Sequence, residues 1–226
     1  MAHLIITIDG PAASGKSTAA RLLARKLGAA FLDTGAMYRA VTLAAMRAGV
    51  DLGDSEKLLD VLRSTELEFA AEREKMSVRI DGDDVTDRIR HPDVTTNSRY
   101  VASAAGVREE LVRMQREFAA RHETIVTEGR DQGTVAFPNA HIKFYLTADK
   151  NERAKRRQAE LGDAGAESLE QIREAIEQRD KSDRSRGVGP LRPARDAVVI
   201  DTTDMGIDQM VQKLFDRVKK RCPDRD

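Results

Sequence analysis

Residues 10–17 carry residue types at a spacing that can bind phosphate. The stretch reads GPAASGKS and fits the pattern G-x-x-x-x-G-K-[ST]. Gly10 and Gly15 let the backbone wrap closely around an anion, and Lys16 brings a positive charge to the β- and γ-phosphates of a nucleotide. The hydroxyl of Ser17 is of the type that binds Mg²⁺ in such loops. The pattern therefore predicts a nucleotide-binding loop.

The segments on either side of this loop are the ones that must position it. Residues 4–8 form a short β-branched run that predicts a buried strand. From Ser17 onward, apolar residues recur at helical spacing until Gly28, a typical helix stop. A strand, a glycine-rich loop and a helix follow one another, so the first unpaired N–H groups of the helix would point at the phosphate.

Four more short apolar runs predict strands, and segments with helical patterns separate them. The predicted strands lie at residues 29–32, 124–127, 142–147 and 197–200, and the main helices at 36–48, 107–121, 149–161, 168–186 and 207–221. Asp149 is predicted to cap the helix that runs to Leu161, and Ser168 starts the next helix, with Glu170 and Gln171 in its first turn. Strands that alternate with helices form parallel sheets covered on both faces. We therefore expect an α/β protein with the P-loop NTPase fold, in which helices flank a five-stranded parallel sheet.

Two segments interrupt this alternation. A short helix at 55–64 and small strands at 67–70 and 76–80, followed by a turn at 81–84, predict an inserted subdomain at about residues 50–90. The remaining core would be residues 1–40 plus 90–226 of a single 226-residue unit. Glycines at 162 and 165 break the basic helix that precedes them, which predicts a lid at about 153–167.

The composition limits the classes of function. The chain has 38 Lys and Arg residues and 38 Asp and Glu residues, so its net charge of zero gives no general reason to bind nucleic acid or an acidic membrane. Cys222 is the single cysteine, and no apolar run approaches the ~20 residues of a membrane span. The first residues show no signal peptide. We expect a cytoplasmic protein, monomeric because nothing in the sequence demands a partner.

Polar residues cluster where the predicted strands end. Asp33, Thr34 and Arg39 follow the second strand, and residues 128–131 (Glu-Gly-Arg-Asp) follow the third. The carboxyl ends of parallel strands meet at one edge, where ligands bind. Arginines between residues 179 and 186 would add guanidinium groups, which bind phosphate oxygens in pairs. A cleft with many arginines and no evident hydrolytic base predicts phosphoryl transfer between two phosphates.

These motifs together resemble bacterial cytidylate kinases, nucleoside-monophosphate kinases that transfer a phosphoryl group from ATP to CMP or dCMP. The resemblance runs from residue 4 to about 220. It is carried by residues 8–17 (IDGPAASGKS), 32–39 (LDTGAMYR), 128–134 (EGRDQGT), Arg179, Asp183, Arg186 and residues 197–202. The insert also lies where this family has an enlarged monophosphate-binding region.

The resemblance implies roles for individual residues. ATP with Mg²⁺ would lie on Gly10, Pro11, Ala12, Ala13, Ser14, Gly15, Lys16, Ser17 and Thr18, with Ser17 as the Mg²⁺ ligand. The catalytic residues would be Lys16, Arg130, Arg153, Arg157 and Arg186, with Arg156 also on the lid. The substrate CMP or dCMP would contact Thr34, Arg39, Arg108, Arg130, Asp131, Arg179, Asp183 and Arg186.

The base-reading positions also make chemical sense by themselves. Cytosine presents an N4 amine, which the carboxylate of Asp131 can accept. Uracil has a carbonyl there, which would leave two acceptors facing each other without a proton. Arg108 can donate to the N3 and O2 acceptors of cytosine. We therefore expect Asp131 to disfavour UMP.

Some assignments stay open at this stage. Family members carry a small hydroxyl residue nine positions before the equivalent of Arg108, whereas this chain has Arg99, with Ser98 just before it. Either Ser98 replaces that hydroxyl through a shifted register, or Arg99 alters the base contact. Asp33 and Glu128 either order waters around Mg²⁺ or cap their loops.

Other functions compete with this interpretation. A kinase for another small acceptor, such as UMP, AMP or shikimate, is disfavoured by the insert, Arg108 and Asp131. A nucleotide sensor without turnover is disfavoured by the intact Lys16, Ser17 and arginine set. A nucleic-acid motor is disfavoured by the zero net charge and by the lack of a convincing Walker B strand, for which Glu128 is the one acidic candidate.

Overall fold

The computed structural model describes residues 4–71, 75–162 and 168–222. Its strands, numbered in chain order, are β1 (Leu4–Asp9), β2 (Ala30–Asp33), β3 (Leu67–Ala71), β4 (Met76–Ile80), β5 (Asp83–Asp84), β6 (Thr124–Gly129), β7 (Ile142–Thr147) and β8 (Val198–Asp201). Its α-helices are α1 (Lys16–Leu27), α2 (Thr34–Arg47), α3 (Ser55–Ser64), α4 (Pro92–Ser103), α5 (Ala105–Ala120), α6 (Lys150–Leu161), α7 (Leu169–Ser185) and α8 (Ile207–Arg221).

Five strands form one parallel sheet in the order β2-β6-β1-β7-β8. The register places Asp33 beside Glu128 and Asp9 beside Gly129. The polar residues at the strand ends are therefore neighbours at one edge of the sheet, as the sequence predicts. The α/β class and the five-stranded parallel sheet flanked by helices are confirmed.

Helices cover both faces of this sheet and divide the core between them. On one face, β1, β7 and β8 share an apolar cluster with α1 and α8, centred on residues such as Leu23, Phe144 and Leu214. A smaller cluster joins α5 and β6 on the other face. Because the central strands are covered on both sides, β1 reads as a nearly continuous buried run.

The predicted insert contains a second sheet, which is antiparallel and runs in the order β3-β4-β5. The buried side chains of β4 alternate along the strand, which is the pattern of a sheet with one covered face. These side chains share a hydrophobic cluster with α2, α3, α4 and α5. The insert therefore packs onto α2 and α5 through a common core, and its exact limits remain a prediction.

Two elements are not predicted by the sequence pattern. Helix α4 begins with Pro92 at its first turn, followed by β-branched and polar residues with low helix propensity, so packing determines it. Residues 132–136 form a π-helical turn after β6, in which the N–H of Phe137 bonds the carbonyl of Gln132 at 2.7 Å. Such turns occur mostly at functional sites.

The lid prediction falls partly on described residues. Asp149 caps α6 by accepting the N–H groups of Asn151 and Glu152, and Ser168 caps α7 in a capping box with Gln171. Residues 163–167, the last five of the predicted lid, lie outside the described residues. Across the described ranges, none of the helices combines the length and the apolar character needed to cross a bilayer.

Candidate active site

The glycine-rich loop connects β1 to α1 in the geometry of an anion cradle. Gly15 has a φ of +82°, in the left-handed region that favours glycine. A Cβ at Gly10 would collide with the carbonyl oxygen of Leu146, so this position tolerates no side chain. The non-glycine residue Ala13 also adopts a positive φ, 56°. The loop backbone is thus held in a strained, preformed shape.

Lys16 and Ser17 meet Glu128 at the start of α1. The Lys16 Nζ donates to the carbonyl of Pro11 at 3.2 Å and lies 3.9 Å from Glu128 Oε2, and both side chains are buried. Ser17 Oγ donates to Glu128 Oε1 at 2.9 Å. Burial lowers the pKa of Lys16 to about 8, and Arg130 adds to this shift. Burial raises the pKa of Glu128, although Lys16 opposes the change.

Asp33 organises the end of β2. Its Oδ1 accepts the N–H of Ala36 and so caps α2, while its Oδ2 lies 3.3 Å from both Arg39 Nη2 and Arg90 Nη2. Burial would raise the pKa of Asp33, but the two guanidinium groups hold it below its ordinary value. Arg90 belongs to the insert, so this carboxylate joins the insert to the sheet. Of the two open roles for Asp33, the described contacts match a cap.

The loop after β6 is fixed by a residue that the sequence analysis does not single out. Asp9, at the end of β1, accepts the N–H groups of Gln132 and Gly133, each at 2.8 Å. Thr34 Oγ1 donates to the carbonyl of Glu128 at 2.7 Å. These bonds hold the backbone on both sides of Arg130 and Asp131. Burial raises the pKa of Asp9 to about 7 despite the two backbone donors.

Asp183 gathers two of the predicted phosphate-binding arginines. Its Oδ2 accepts from Arg130 Nε at 2.7 Å, and its Oδ1 accepts from Arg186 Nη2. Asp183 is buried, while Arg130 and Arg186 keep 16% and 12% of their side chains exposed. Burial would raise the pKa of Asp183, but Arg130 and Arg186 lower it below its ordinary value. The carboxylate therefore stays charged and holds both cations at the cleft.

Arg179 lies on the same helix as Asp183 and remains available to an incoming anion. Within the described part of the chain it makes no hydrogen bond or ion pair, and its side chain is exposed. Neighbouring protein nevertheless desolvates its guanidinium in part. This partial desolvation and the neighbouring Arg130 lower its pKa to about 10.

The predicted base-reading pair forms a direct contact. Arg108 Nη2 donates to Asp131 Oδ2, and Arg108 Nη1 donates to the carbonyl of Ala102 at 3.2 Å. Both side chains are buried, and the Arg108 guanidinium lies 5.5 Å from the centre of the Tyr38 ring. Burial raises the pKa of Asp131, with Arg108 and Arg186 opposing the shift. Tyr38 is a further cleft residue that sequence reasoning misses.

The three arginines of α6 face different surroundings. Arg153 is buried and bonds the carbonyl of Ala12 at 3.1 Å and Asp180 at 2.7 Å. Arg156 donates to the carbonyl of Thr202 at 2.6 Å. Arg157 is partly exposed and pairs with its neighbour Glu160 at 3.1 Å. In this conformation these contacts are with protein groups, and a catalytic role for Arg153 and Arg157 stays a prediction.

Arg99 and Ser98 lie on α4 next to an open cavity. Arg99 stacks on the Tyr100 ring and bonds its hydroxyl at 3.1 Å. The cavity, of about 240 Å³, is lined by Leu52, Gly53, Ser55, Arg99, Tyr100, Ser103 and Ser182. Ser98 is half-buried and its hydroxyl donates to the carbonyl of Thr95 at 2.7 Å, whereas Arg99 is exposed.

Three basic residues of α6 and α7 form ion pairs at the surface. Lys150 pairs with Glu177 at 3.0 Å, Lys155 with Glu152 at 4.0 Å, and Arg173 with Glu170 at 2.5 Å. Among the described residues there is no cluster of three His, Cys, Asp or Glu side chains that could hold a metal by themselves.

Comparison with known proteins assigns this geometry to a family. A sequence model of the family described as cytidylate kinase matches residues 6–220. The cytidylate kinase of Desulforamulus reducens is 48% identical over 219 residues, which cover 96% of this chain and 98% of that protein. This chain belongs to the cytidylate kinase family.

Other similarities agree. The cytidylate kinase of Bacillus cytotoxicus is 45% identical over 214 residues, covering 94% of this chain and 95% of that protein. The crystal structure of TT1252 from Thermus thermophilus superimposes with a TM-score of 0.53 at 18% identity, covering 98% of this chain and 99% of that one. The latter supports the fold alone. The resemblance drawn from the sequence motifs and the prediction of a P-loop kinase are both confirmed.

Proposed function

We propose that this protein transfers the γ-phosphoryl group of ATP to CMP or dCMP and releases ADP and CDP or dCDP. The observation that supports the proposal is the buried pair of Arg108 and Asp131, because Asp131 directly precedes Gln132, whose N–H donates to Asp9 at the end of the strand that leads into the phosphate-binding loop. Family membership supports the same reaction.

On the donor side, residues 10–18 would bind the ATP phosphates through backbone N–H groups and the Lys16 ammonium. The start of α1 also suits Mg²⁺, because Ser17 Oγ lies 2.9 Å from the buried carboxylate of Glu128. Mg²⁺ prefers such oxygen ligands and takes the rest from phosphate and water. When bound, Mg²⁺ would neutralise charge on the β- and γ-phosphates. Ser17 is thus the proposed ligand, with Glu128 beside it.

On the acceptor side, Arg39, Arg130 and Arg186 would bind the phosphate of the monophosphate, with Thr34 nearby. Each of these arginines is paired with a carboxylate at the cleft, so each is held in place before the substrate arrives. Arg179 would add a further contact, and Asp183 would accept from the sugar hydroxyl. Guanidinium groups suit this task because their planar fork binds phosphate oxygens bidentately.

Transfer would proceed by in-line displacement. A phosphate oxygen of the acceptor forms a new bond to the γ-phosphorus while the bond from that phosphorus to the β–γ bridging oxygen breaks, and ADP leaves. Charge builds up on the transferring oxygens, so Lys16 and the cleft arginines would stabilise the transition state. Arg157 is partly exposed, and among the described residues its ion pair is with Glu160 on its own helix, so it is the α6 arginine best able to reach the transferring group.

Base selection would depend on Asp131 and Arg108. Asp131 would accept the N4 amine of cytosine, and Arg108 would donate to its ring acceptors. Ser98 is the better candidate for the additional hydroxyl, because it carries a hydroxyl and is half-buried, whereas Arg99 is exposed. Arg99 is held by Tyr100 and lines the open cavity. Cytoplasmic location and a monomeric state remain predictions from the sequence.

The test is a coupled ADP-release assay with Mg·ATP and CMP, dCMP, UMP or AMP in parallel. We expect the highest kcat/KM with CMP and dCMP. The D131N variant should lower kcat/KM for CMP about tenfold to a hundredfold and raise the UMP-to-CMP ratio, since one lost base contact is worth about 1–3 kcal/mol.

The matched control is D196N, which changes a partly exposed aspartate paired with Lys143 and should leave both rates unchanged. Equal turnover of UMP and CMP by the unaltered protein would contradict the proposed selectivity. Binding of CMP without turnover would indicate a nucleotide sensor instead.

A further inference from the structure

A buried ion pair joins α6 to α7 beneath the glycine-rich loop. Arg153 Nη1 lies 2.7 Å from Asp180 Oδ2, and each side chain is only 3% exposed. The two residues come from the helices on either side of residues 163–167. Asp180 is not among the residues that the motifs single out.

This pair contacts both backbone groups of a single loop residue, Ala12. Asp180 Oδ1 accepts the N–H of Ala12 at 3.3 Å, and Arg153 Nη1 donates to the carbonyl of Ala12 at 3.1 Å. The next residue, Ala13, has a φ of 56°, which a residue with a Cβ adopts only when its surroundings impose it. The contacts with Ala12 therefore lie next to the strained point of the loop.

Apolar packing supports the same connection. Ala13 packs against a small cluster that α6 and α7 form with Ala154, Ile172 and Ile176. The loop is thereby joined to the two helices by both polar and apolar contacts. A buried ion pair is a weak source of stability, because desolvation of two charges offsets their attraction. The contacts of both side chains with the backbone of Ala12 indicate that the pair positions the loop.

Helix α7 also carries Arg179 and Asp183, which belong to the acceptor side of the cleft. Asp180 lies between them in the sequence and faces the donor loop. The same helix is thus connected to both nucleotide sites.

We propose that Asp180 and Arg153 are positioning residues that hold the ATP-binding loop in its phosphate-binding shape by clamping the backbone N–H and C=O of Ala12 against α6 and α7. This deepens the proposed function, on which it rests. Arg153 then acts through the loop, and it need not touch the transferring phosphate. Loss of these contacts should weaken the binding of ATP more than the binding of the monophosphate.

The test measures ATP binding by titration calorimetry with the full-length D180N and R153K variants, with no acceptor present. D180N leaves the Arg153 cation without its buried counter-charge and should raise the Kd for ATP tenfold or more. R153K keeps a cation opposite Asp180, but the lysine side chain ends one bond short of the Nη1 position that donates to both partners, so we expect a smaller rise, about threefold to tenfold. The Kd for CMP alone should change less than twofold in both.

The matched control is E177Q, which removes the exposed pair of Lys150 and Glu177. That pair joins the same two helices without touching the loop, so the ATP Kd should match that of the unaltered protein. Thermal unfolding of every variant separates loss of fold from loss of loop shape. If D180N does not fold, the R153K variant still tests the proposal.

Two outcomes would overturn the proposal. One is a folded D180N or R153K variant with an ATP Kd within twofold of normal. The other is a parallel fall of ATP affinity, CMP affinity and melting temperature, which would make the pair a plain structural contact. Because the titration contains no acceptor, it gives an answer even if the protein proves not to phosphorylate CMP.

Discussion

Single residues in the cleft have chemistry that their surroundings alter. Lys16 is buried against Glu128 and the carbonyl of Pro11, and burial lowers its pKa to about 8. Below that pH the ammonium is charged, and above it the charge is lost. Because the ATP phosphates bind the charged ammonium, the affinity for ATP should depend on pH near this value. The motif alone does not indicate this dependence.

We predict that kcat/KM for ATP is highest below about pH 8 and falls as the pH rises through that value. The ratio kcat/KM reports the free enzyme, in which Lys16 has its lowered pKa, whereas bound phosphate would raise it and move the fall in kcat to higher pH. The measurement is the rate at saturating CMP and varied ATP from pH 6.5 to 9.5.

The K16R variant is the control, since arginine stays charged throughout this range. It should be less active but should lose the pH dependence near 8. A flat kcat/KM for ATP up to pH 9.5 in the unaltered protein would contradict the assignment.

At the scale of elements, the short link between β6 and the π-helical turn positions Arg130 and Asp131. Gly129, the last residue of β6, comes directly before this link, at a point where α2, β6 and the turn lie close together. A Cβ there would lie 2.8 Å from Thr34 Oγ1 and 2.9 Å from Gln132 Cγ. The glycine is required by close approach rather than by an unusual backbone angle.

We predict that Gly129→Ala lowers the free energy of unfolding by about 1–3 kcal/mol, because overpacking forces neighbouring side chains to shift. Thr34 would lose its 2.7 Å bond to the Glu128 carbonyl, and the displaced link would lower kcat/KM for CMP. Urea unfolding and steady-state rates measure the two effects.

Gly206→Ala is the matched control, as Gly206 has a φ of −67° and a Cβ there would lie 4.0 Å from Gln209 Oε1. Because Gly206 is the N-cap of α8, where glycine is preferred over alanine, this change should lower stability by no more than about 1 kcal/mol. Equal effects at the two positions would mean that the contacts of Gly129 do not matter.

At the scale of the whole molecule, Asp9 connects the strand that leads into the ATP loop with the loop that carries the acceptor residues. Burial raises its pKa to about 7, with Asp131 adding to the shift and the N–H groups of Gln132 and Gly133 and the charge of Arg130 opposing it. Between pH 3.8 and 7 the folded protein therefore binds a proton that the unfolded chain has lost. Its contribution to stability is full below the unfolded pKa and is lost as the pH rises through about 7.

We predict that the free energy of unfolding of the unaltered protein minus that of D9N is about 2 kcal/mol more positive at pH 5 than at pH 8. The asparagine cannot titrate, and other groups cancel in the difference. Urea unfolding of both proteins at the two pH values measures it. A difference independent of pH would show that Asp9 keeps an ordinary pKa.

Local patterns in the sequence account for much of the architecture. The five parallel strands, the caps at Asp149 and Ser168 and the glycine-rich loop are predicted within a few residues. Each depends on residues close together in the chain: β-branched runs, capping side chains and glycines at fixed spacing. Helix α4 is the exception, since long-range packing overrides its weak propensity.

The sequence by itself determined the phosphate-binding loop, the α/β class and the family, because these reside in residue types and spacing. Only the tertiary structure decided the partners of the charged groups. It brought Asp9 to the loop after β6, Asp180 to Ala12, and Arg108 to Asp131. These pairs are separated by 123, 168 and 23 positions in the chain, so no local pattern encodes them. The strand order and helix packing alone bring them together.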